Sequence, residues 1–542
     1  VQTHNEKAMV DLFVEIEQTL PVDKFEINGV KAWPYIRLSL KNKIDAFFLI
    51  NGGHATNTPR AMPSRSKPSR LQSAKQVGRT FASACGATFK ALAQFPFRRV
   101  FSSQPIDVLM FCFNAPFLRV GERGINRNLV GMVEALERSE ARMGKPASYQ
   151  ILQYTRLDDT SVHPDFPGLN ISLIAAALNE WCRFRIALSG LKISWLQNTA
   201  ELDYVTRINH ILQQRQVPVV LETHKLRHEM QRIVNLANGL QGFLQRHGVK
   251  KVVNVCYYGY VGMAVSLACY REKIQCIEYQ HGVQTEFHPL YSNWRNVPEQ
   301  GYELIPDTFW VWGQATFDVI NDWVQQQHFH KVEITGNAWL KYFQEVEAQN
   351  VVFTEEQAQQ YRDKKLILVS LQAFPEHYQA HVTEAIKAFD DDYVWVLKEH
   401  PSHWLSDEHR EAEFGELIRQ GKVVIERRFS IYELLTLLPV RAHLTAYSTV
   451  AFECEFYGIP TLFFHENGVV GNANLIERAS HLYPALEIET LLSNLQTALA
   501  TPVQAQIFMA KDVTVADNLL KGLDESQLQP LPHSVNQISG NS

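Results

Sequence analysis

The sequence predicts an α/β protein of two facing domains of mostly parallel sheet, with a helical appendage at the N-terminus. Three observations carry this. At 542 residues the chain exceeds what one hydrophobic core serves well, so two domains are expected. Short apolar runs of strand length recur at 106–113, 192–196, 217–221, 251–256 and 273–279, and again at 366–370, 393–397, 423–425, 442–446 and 461–464. Amphipathic segments of helical length separate them, which is the pattern of a parallel sheet covered by helices. Finally, polar residues with useful chemistry follow several of these runs directly, where open parallel sheets hold their ligands.

Hydrophobic residues make up 46% and charged residues 20%, which fits a folded globular chain. A formal net charge of −5 argues against nucleic acid as the partner. The seven cysteines form no CxxC pair and no Cys/His cluster, so buried free thiols in a reducing compartment are expected. Val1–Lys7 lacks a signal-peptide pattern and no run reaches eighteen apolar residues, so the expected location is cytoplasmic, with a place on the inner membrane face left open.

Residues 1–50 read as the appendage: a helix over 8–20 ended by Pro21, a hairpin at Asn28-Gly29, then a second helix. Residues 51–104 form a basic linker, since nine Lys and Arg residues occur between 60 and 99 without one Asp or Glu from 51 to 101. It reads as a solvated linker or, with Phe81, Phe89, Phe95 and Phe97 among the cations, as a contact for an anionic membrane surface. The first α/β domain is expected over 105–305 and the second over 306–490. The stretch 474–520 reads as helical, and 491–542 as a C-terminal helix and tail.

The second domain holds the densest chemistry. Lys398 and His400 follow the run 393–397, and Pro401 biases His400 toward extended backbone. Such a cation and imidazole at a strand end suit a phosphate or a proton transfer. Ser448 and Thr449 follow the run 442–446 and open a helix, where hydroxyls either cap the helix or meet a phosphate. Glu453, one turn on, has the place of a carboxylate that accepts from ribose hydroxyls, and His465 emerges after the run 461–464. In the first domain, Glu122 between two glycines and Asp158 after a strand-like run are candidate proton acceptors, as is Glu222 with His224. Gln280-His281-Gly282 follows the run 273–279, and Gly336-Asn337 follows another short strand; His281 faces the cleft in this reading, with Gln280, Gly282 and Asn337 lining it. No metal site is expected: Asp390-Asp391-Asp392 reads as a solvated turn.

The pattern Lys398-x-His400-Pro401 followed by Ser448-Thr449, Glu453 and Gly458-x-Pro460 resembles the C-terminal half of GT-B glycosyltransferases of bacterial surface-polysaccharide synthesis. Capsule polysialyltransferases, Kdo transferases and the CDP-glycerol glycerophosphotransferases of teichoic-acid synthesis are the similar families. The resemblance spans about 270–465 and implies a GT-B fold of two Rossmann-like domains and metal-independent transfer from a nucleotide sugar, which is a substrate and no cofactor. It places His400, Ser448 and Thr449 around the nucleotide, joining Lys398 and Glu453 from the reading of the residues, with a CMP-linked Kdo or sialic acid as donor and a capsule or lipopolysaccharide glycan or glycolipid as acceptor. Glu122, Asp158, His281 and His400 are then the candidate catalytic residues. A polyol-phosphate transferase, a nucleotide-sugar epimerase or hydrolase, and a non-catalytic polysaccharide-assembly protein are the alternatives.

Overall fold

The computed structural model describes residues 2–50, 79–89, 104–113, 117–120, 123–154, 168–170, 177, 180, 181, 184, 199–351, 361, 364–372, 378–400, 404–503 and 507–523. Two parallel sheets dominate it. The first contains β1 (Val108–Phe113), β2 (Tyr149–Tyr154), β3 (Gly168–Asn170), β4 (Lys251–Asn254), β5 (Gln275–Tyr279), β6 (Thr308–Val311) and β7 (Lys331–Ile334), in the order β7-β6-β5-β4-β1-β2-β3. The second contains β8 (Lys365–Ser370), β9 (Tyr393–Lys398), β10 (Val423–Glu426), β11 (Val440–Thr445), β12 (Thr461–Phe463) and β13 (Leu482–Pro484), in the order β10-β9-β8-β11-β12-β13. Numbered within its own domain, the first sheet runs 3-2-1-4-5-6-7 and the second 3-2-1-4-5-6, both on the doubly wound nucleotide-binding order. The fold is therefore GT-B-like, with two Rossmann-type domains. In such sheets the crossovers leave β1 and β4 in opposite directions, opening a crevice beyond their C-terminal ends; β8 and β11 do the same in the second domain.

The strands are buried on both faces, as their unbroken apolar runs require: Leu366 to Val369 and Val394 to Leu397 are nearly inaccessible. The first sheet continues through β6 and β7, past the 305/306 division expected from sequence. The chain also returns. Ala510 N donates to the carbonyl of Trp312, Thr514 N to that of Thr335, and Ile507 O accepts from Ala315 N, each at 2.8 Å, so 507–523 docks on the first domain. Glu455 fixes this return by accepting from the backbone N–H groups of Ile507, Phe508 and Met509 at 2.5–2.8 Å.

Three local expectations differ from the structure. Residues 217–221 join no sheet and turn at Val219, whose N–H donates to the Val217 carbonyl at 2.9 Å; Asn209 pairs with the backbone of Leu221 through its side chain. Phe117–Val120 and Arg123–Asn126 form an antiparallel ribbon where a plain loop was expected. The stretch 474–520 is divided among Ala473–Arg478, β13, Ile488–Ala500 and Val515–Leu520, because β13 is needed to complete the second sheet's edge. The run 192–196 lies outside the described residues.

The appendage packs as α1 (Gln2–Thr19) and α2 (Trp33–Ile50), joined by a two-strand hairpin in which Asn28 (φ 56°) and Gly29 (φ 72°) supply the left-handed turn. Its apolar side merges with the first domain's core through Phe13, Ile16, Trp33 and Ile36. No helix among the described residues is long and apolar enough to cross a membrane.

Candidate functional site

The second domain's crevice is built by hydroxyl and amide groups at the ends of β8 and β11. Thr445 Oγ1 donates to the Ser370 carbonyl at 3.2 Å and accepts from Gln372 Nε2 and Ser448 N, also at 3.2 Å. Ser370 and Thr461 hold the buried His443 ring between them at 2.8 and 3.0 Å. Burial pushes that imidazole down to about 3, so it is neutral structural packing beneath the crevice. Gly468 brings the next helix against β11: a Cβ there would lie 2.0 Å from the Ala446 carbonyl oxygen.

Along this edge stand five of the six residues singled out in the second domain's sequence. Lys398 ends β9 with its ammonium 3.3 Å from the Glu426 carbonyl, and burial lowers its pKa against the attraction of Glu426. His400 follows, half-buried. Ser448 is half-buried and its Oγ accepts from Val450 N at 3.3 Å, which is the capping role; Thr449 is exposed and makes no side-chain cap bond. His465 caps Glu466–Gly471, its Nδ1 accepting from Asn467 N at 3.1 Å, with its ring near Tyr447.

Glu453 does not face this crevice as a ribose partner. It is buried, accepts from Tyr432 O–H at 3.1 Å, and lies 3.9 Å from the guanidinium of Arg127 in the first domain. Arg127 also donates to Tyr432 Oη at 3.0 Å. Burial raises the Glu453 pKa, opposed by Arg127 and Tyr432. Local structure explains the meeting. A reciprocal capping box between Ser430 and Glu433 starts the helix Ile431–Leu437 and sets Tyr432 in its first turn. Asn126, whose Oδ1 accepts from Asn128 N at 3.0 Å, turns the chain at Arg127. The two domains thus touch through a charge-assisted triad. Arg478–Asp318 at 2.6 Å and the pair Asn474–Glu286 add further links.

On the first domain's side, β5 delivers Glu278 and then His281. Glu278 is 1% exposed and accepts from Tyr257 N and Tyr291 O–H at 2.9 and 2.5 Å. Burial pushes its carboxyl up to about 8 despite those bonds. His281 Nδ1 lies 3.6 Å from Glu278 Oε1, too long for a hydrogen bond, and has no other partner. Its Nε2 meets Tyr258 O–H at 3.3 Å, and the side chain is 19% exposed. Burial, with Arg127 nearby, lowers the imidazole to about 4. At neutral pH the pair is therefore a neutral base beside a mostly protonated acid. Opposed shifts of this kind are one pattern by which an acid–base pair is recognised.

Gln280 holds His281 in place and does not line the cleft. Its amide is buried, accepting from Trp312 N at 2.7 Å and donating to Gly282 O and Thr316 Oγ1 at 2.9 and 3.2 Å. Gly282 serves that clamp through its carbonyl. Asn337 is likewise buried and caps Ala338–Tyr342 by accepting from Trp339 N and Leu340 N. Gln284 is different: its amide is buried with neither atom hydrogen-bonded. Glu122 and Asp158 lie outside the described residues. Glu222 and His224 sit at the start of Thr223–His247, where Glu222 pairs with Lys225 on the surface. Among the described residues no group of His, Cys, Asp and Glu is placed to hold a metal.

Tyr432 and Tyr258 were not among the sequence candidates, and Glu453 was a candidate without the partners that Arg127 and Tyr432 give it. Arg127 lies beyond a turn that only the ribbon defines, and Tyr432 looks like an ordinary amphipathic-helix residue. Tyr258 had one sequence signal, its place two residues after the run 251–256.

Glu278 gives a pH prediction that is independent of function. Its folded pKa of about 8 exceeds the unfolded value near 4.5. Its contribution to stability is therefore full below about pH 4.5 and is lost as pH rises through about 8. Glu278→Gln removes this dependence. Urea unfolding at pH 5 and pH 8 is expected to show a smaller alkaline loss in the variant, by up to a few kcal/mol. Parallel pH curves would show that Glu278 ionises normally in the fold.

No protein-family model matches the sequence, and no curated protein sequence does. Solved structures do show likeness in shape. A putative UDP-N-acetylglucosamine 2-epimerase from Listeria monocytogenes aligns at 13% identity and TM-score 0.43, covering 79% of this chain and 98% of that one. The UDP-GlcNAc 2-epimerase of Methanocaldococcus jannaschii aligns at 11% and 0.43, covering 77% and 98%. The calicheamicin glycosyltransferase aligns at 13% and 0.35, covering 73% and 90%. With TM-scores this low, the fold assignment rests on the strand order of the two sheets.

Proposed function

We propose that this chain is an enzyme acting on a nucleotide sugar, with the nucleotide on the second domain and the sugar chemistry at His281 on the first. The observation that carries this reading is the repeated doubly wound order, whose crevices both lie at strand C-terminal ends. In the second crevice, Gln372, Lys398, His400 and Ser448 present amide, cationic and hydroxyl groups of the kind that hold a phosphate. Across the cleft, neutral His281 takes a proton from a hydroxyl or a C–H group, with the Glu278 carboxyl 3.6 Å behind its Nδ1. Arg127, held against Tyr432 and Glu453, supplies positive charge between the two halves.

Two reactions use this arrangement. In glycosyl transfer, His281 deprotonates an acceptor hydroxyl while groups of the second domain stabilise the leaving phosphate. A CMP-linked acidic sugar and a surface glycan or glycolipid remain the finer proposal there, with membrane contact through 51–101. In epimerisation or hydrolysis, the proton comes from the sugar itself or from water. The enclosure of Glu278 and of the His281 Nδ1 edge favours this second reading, since a small reacting group reaches such a pair more easily than a polymer does.

The test is incubation with UDP-, CMP-, CDP- and GDP-sugars, with and without glycan acceptors, followed by mass analysis of nucleotide and sugar products. Release that depends on acceptor supports transfer; an isomerised or free sugar without acceptor supports the second reading. If no nucleotide sugar is consumed and none shifts the melting temperature, the proposal fails. His400→Ala is expected to weaken nucleotide binding by about tenfold, the scale of one charge-assisted contact. Unchanged affinity in calorimetry removes His400 from the site.

A further inference from the structure

The N-terminal appendage does more than cover the first domain. A cavity of about 310 Å³ lies between α2, the helix Thr223–His247 and the turn that follows β4. Tyr35, Lys41 and Asn42 line it from α2, Glu229 from the long helix, and Tyr258 and Tyr260 from the turn. Positions 35, 38 and 42 follow helical spacing, so one face of α2 looks into the cavity while Trp33 and Arg37 face the core. The volume lies at the lower end of the roughly 300–1,000 Å³ usual for small-molecule pockets.

The lining specifies a ligand class. Lys41 is ion-paired with Asp45 at 2.6 Å, and Glu229 with Arg232 and His228 at 2.5 and 3.2 Å, so charges of both signs are present and balanced. Arg232 lies over the Tyr260 ring at 4.5 Å. Three tyrosines offer apolar ring surface with a polar tip. Donors and acceptors in equal supply beside aromatic surface suit a compact polyhydroxyl ring better than an anion or a hydrocarbon. Tyr258 also links this cavity to His281, whose Nε2 meets its hydroxyl at 3.3 Å.

We propose that α2 and the Tyr258–Tyr260 turn form a saccharide pocket that presents a sugar hydroxyl toward His281. The function of that sugar rests on the nucleotide-sugar reading above, while its binding does not. Asn42 is exposed, so Asn42→Trp fills the mouth without disturbing the core, and Glu229→Gln removes an acceptor while keeping its shape.

Saturation-transfer NMR on the full-length protein would use methyl glycosides of glucose, galactose and N-acetylglucosamine, and Kdo. At least one is expected to bind the wild type and to weaken about tenfold or more in Asn42→Trp, with a smaller loss in Glu229→Gln. UDP or CMP affinity, measured on the same samples, is expected to stay constant. The pocket proposal is overturned if none of these saccharides binds the wild type, or if one binds and neither variant weakens it. Saccharide binding that responds to the variants, with no nucleotide binding at all, supports the pocket and overturns the nucleotide reading.

Discussion

His281→Ala is expected to reduce turnover of the nucleotide sugar by about 10²–10⁴-fold, the usual scale for loss of a general acid–base group. Nucleotide affinity should change little, because the proposed phosphate groups belong to the other sheet. The imidazole is well placed for this role. It is fixed from behind by the Gln280 clamp, its Nδ1 has no hydrogen-bond partner, and its side chain reaches the surface at 19% exposure. The pH profile separates chemistry from structure. With His281 lowered to about 4, kcat/KM should fall as pH drops through that value, where the base becomes protonated. A variant that loses affinity and turnover in equal measure would assign His281 to binding instead.

Glu17→Ala should be the most damaging single change to stability, costing about 3–5 kcal/mol. Glu17 and Arg37 are 1% and 0% exposed and lie 3.3 Å apart. Glu17 also accepts from Trp33 Nε1 at 2.6 Å and from Arg295 N at 2.5 Å, while Arg37 donates to Ser292 O at 3.1 Å and stacks 4.0 Å above Trp294. Removal of the carboxylate leaves a guanidinium buried without its counter-charge. It also loosens α2 from the loop at 288–296, and with it the wall that carries Lys41 and Asn42. Urea unfolding followed by tryptophan fluorescence reads the loss directly, since Trp33 and Trp294 belong to the network. Glu17→Met combined with Arg37→Met should recover much of it, because a paired apolar replacement strands no charge. If Glu17→Ala costs less than 1 kcal/mol, the ion pair is not what fastens the appendage.

Much of the fold was legible because parallel strands buried on both faces leave continuous apolar runs. β1, β4, β5 and β8 to β12 all stand where such runs stood. Sequence could not give the strand order, since pairing between distant segments leaves no local periodicity. It also could not show that β6 and β7 extend the first sheet, or that 507–523 recrosses to it. The site divides similarly. Lys398, His400, Ser448 and His465 were visible because each follows an apolar run, and all four fall along one sheet edge. Gln280 and Asn337 were visible for the same reason, yet tertiary packing uses their amides as a clamp and a cap. Glu453 took a meaning that only the facing domain supplies, through Arg127, 326 positions earlier in the chain.

The central claim is that the nucleotide sits on the second domain and faces His281 across the cleft. A crystal structure of the protein with UDP or CMP tests it most directly. Phosphate oxygens are expected within hydrogen-bonding distance of groups at the ends of β8 and β11, Gln372 and Ser448, with Lys398 or His400 alongside. A nucleotide seated instead at the ends of β1 and β4 would contradict it.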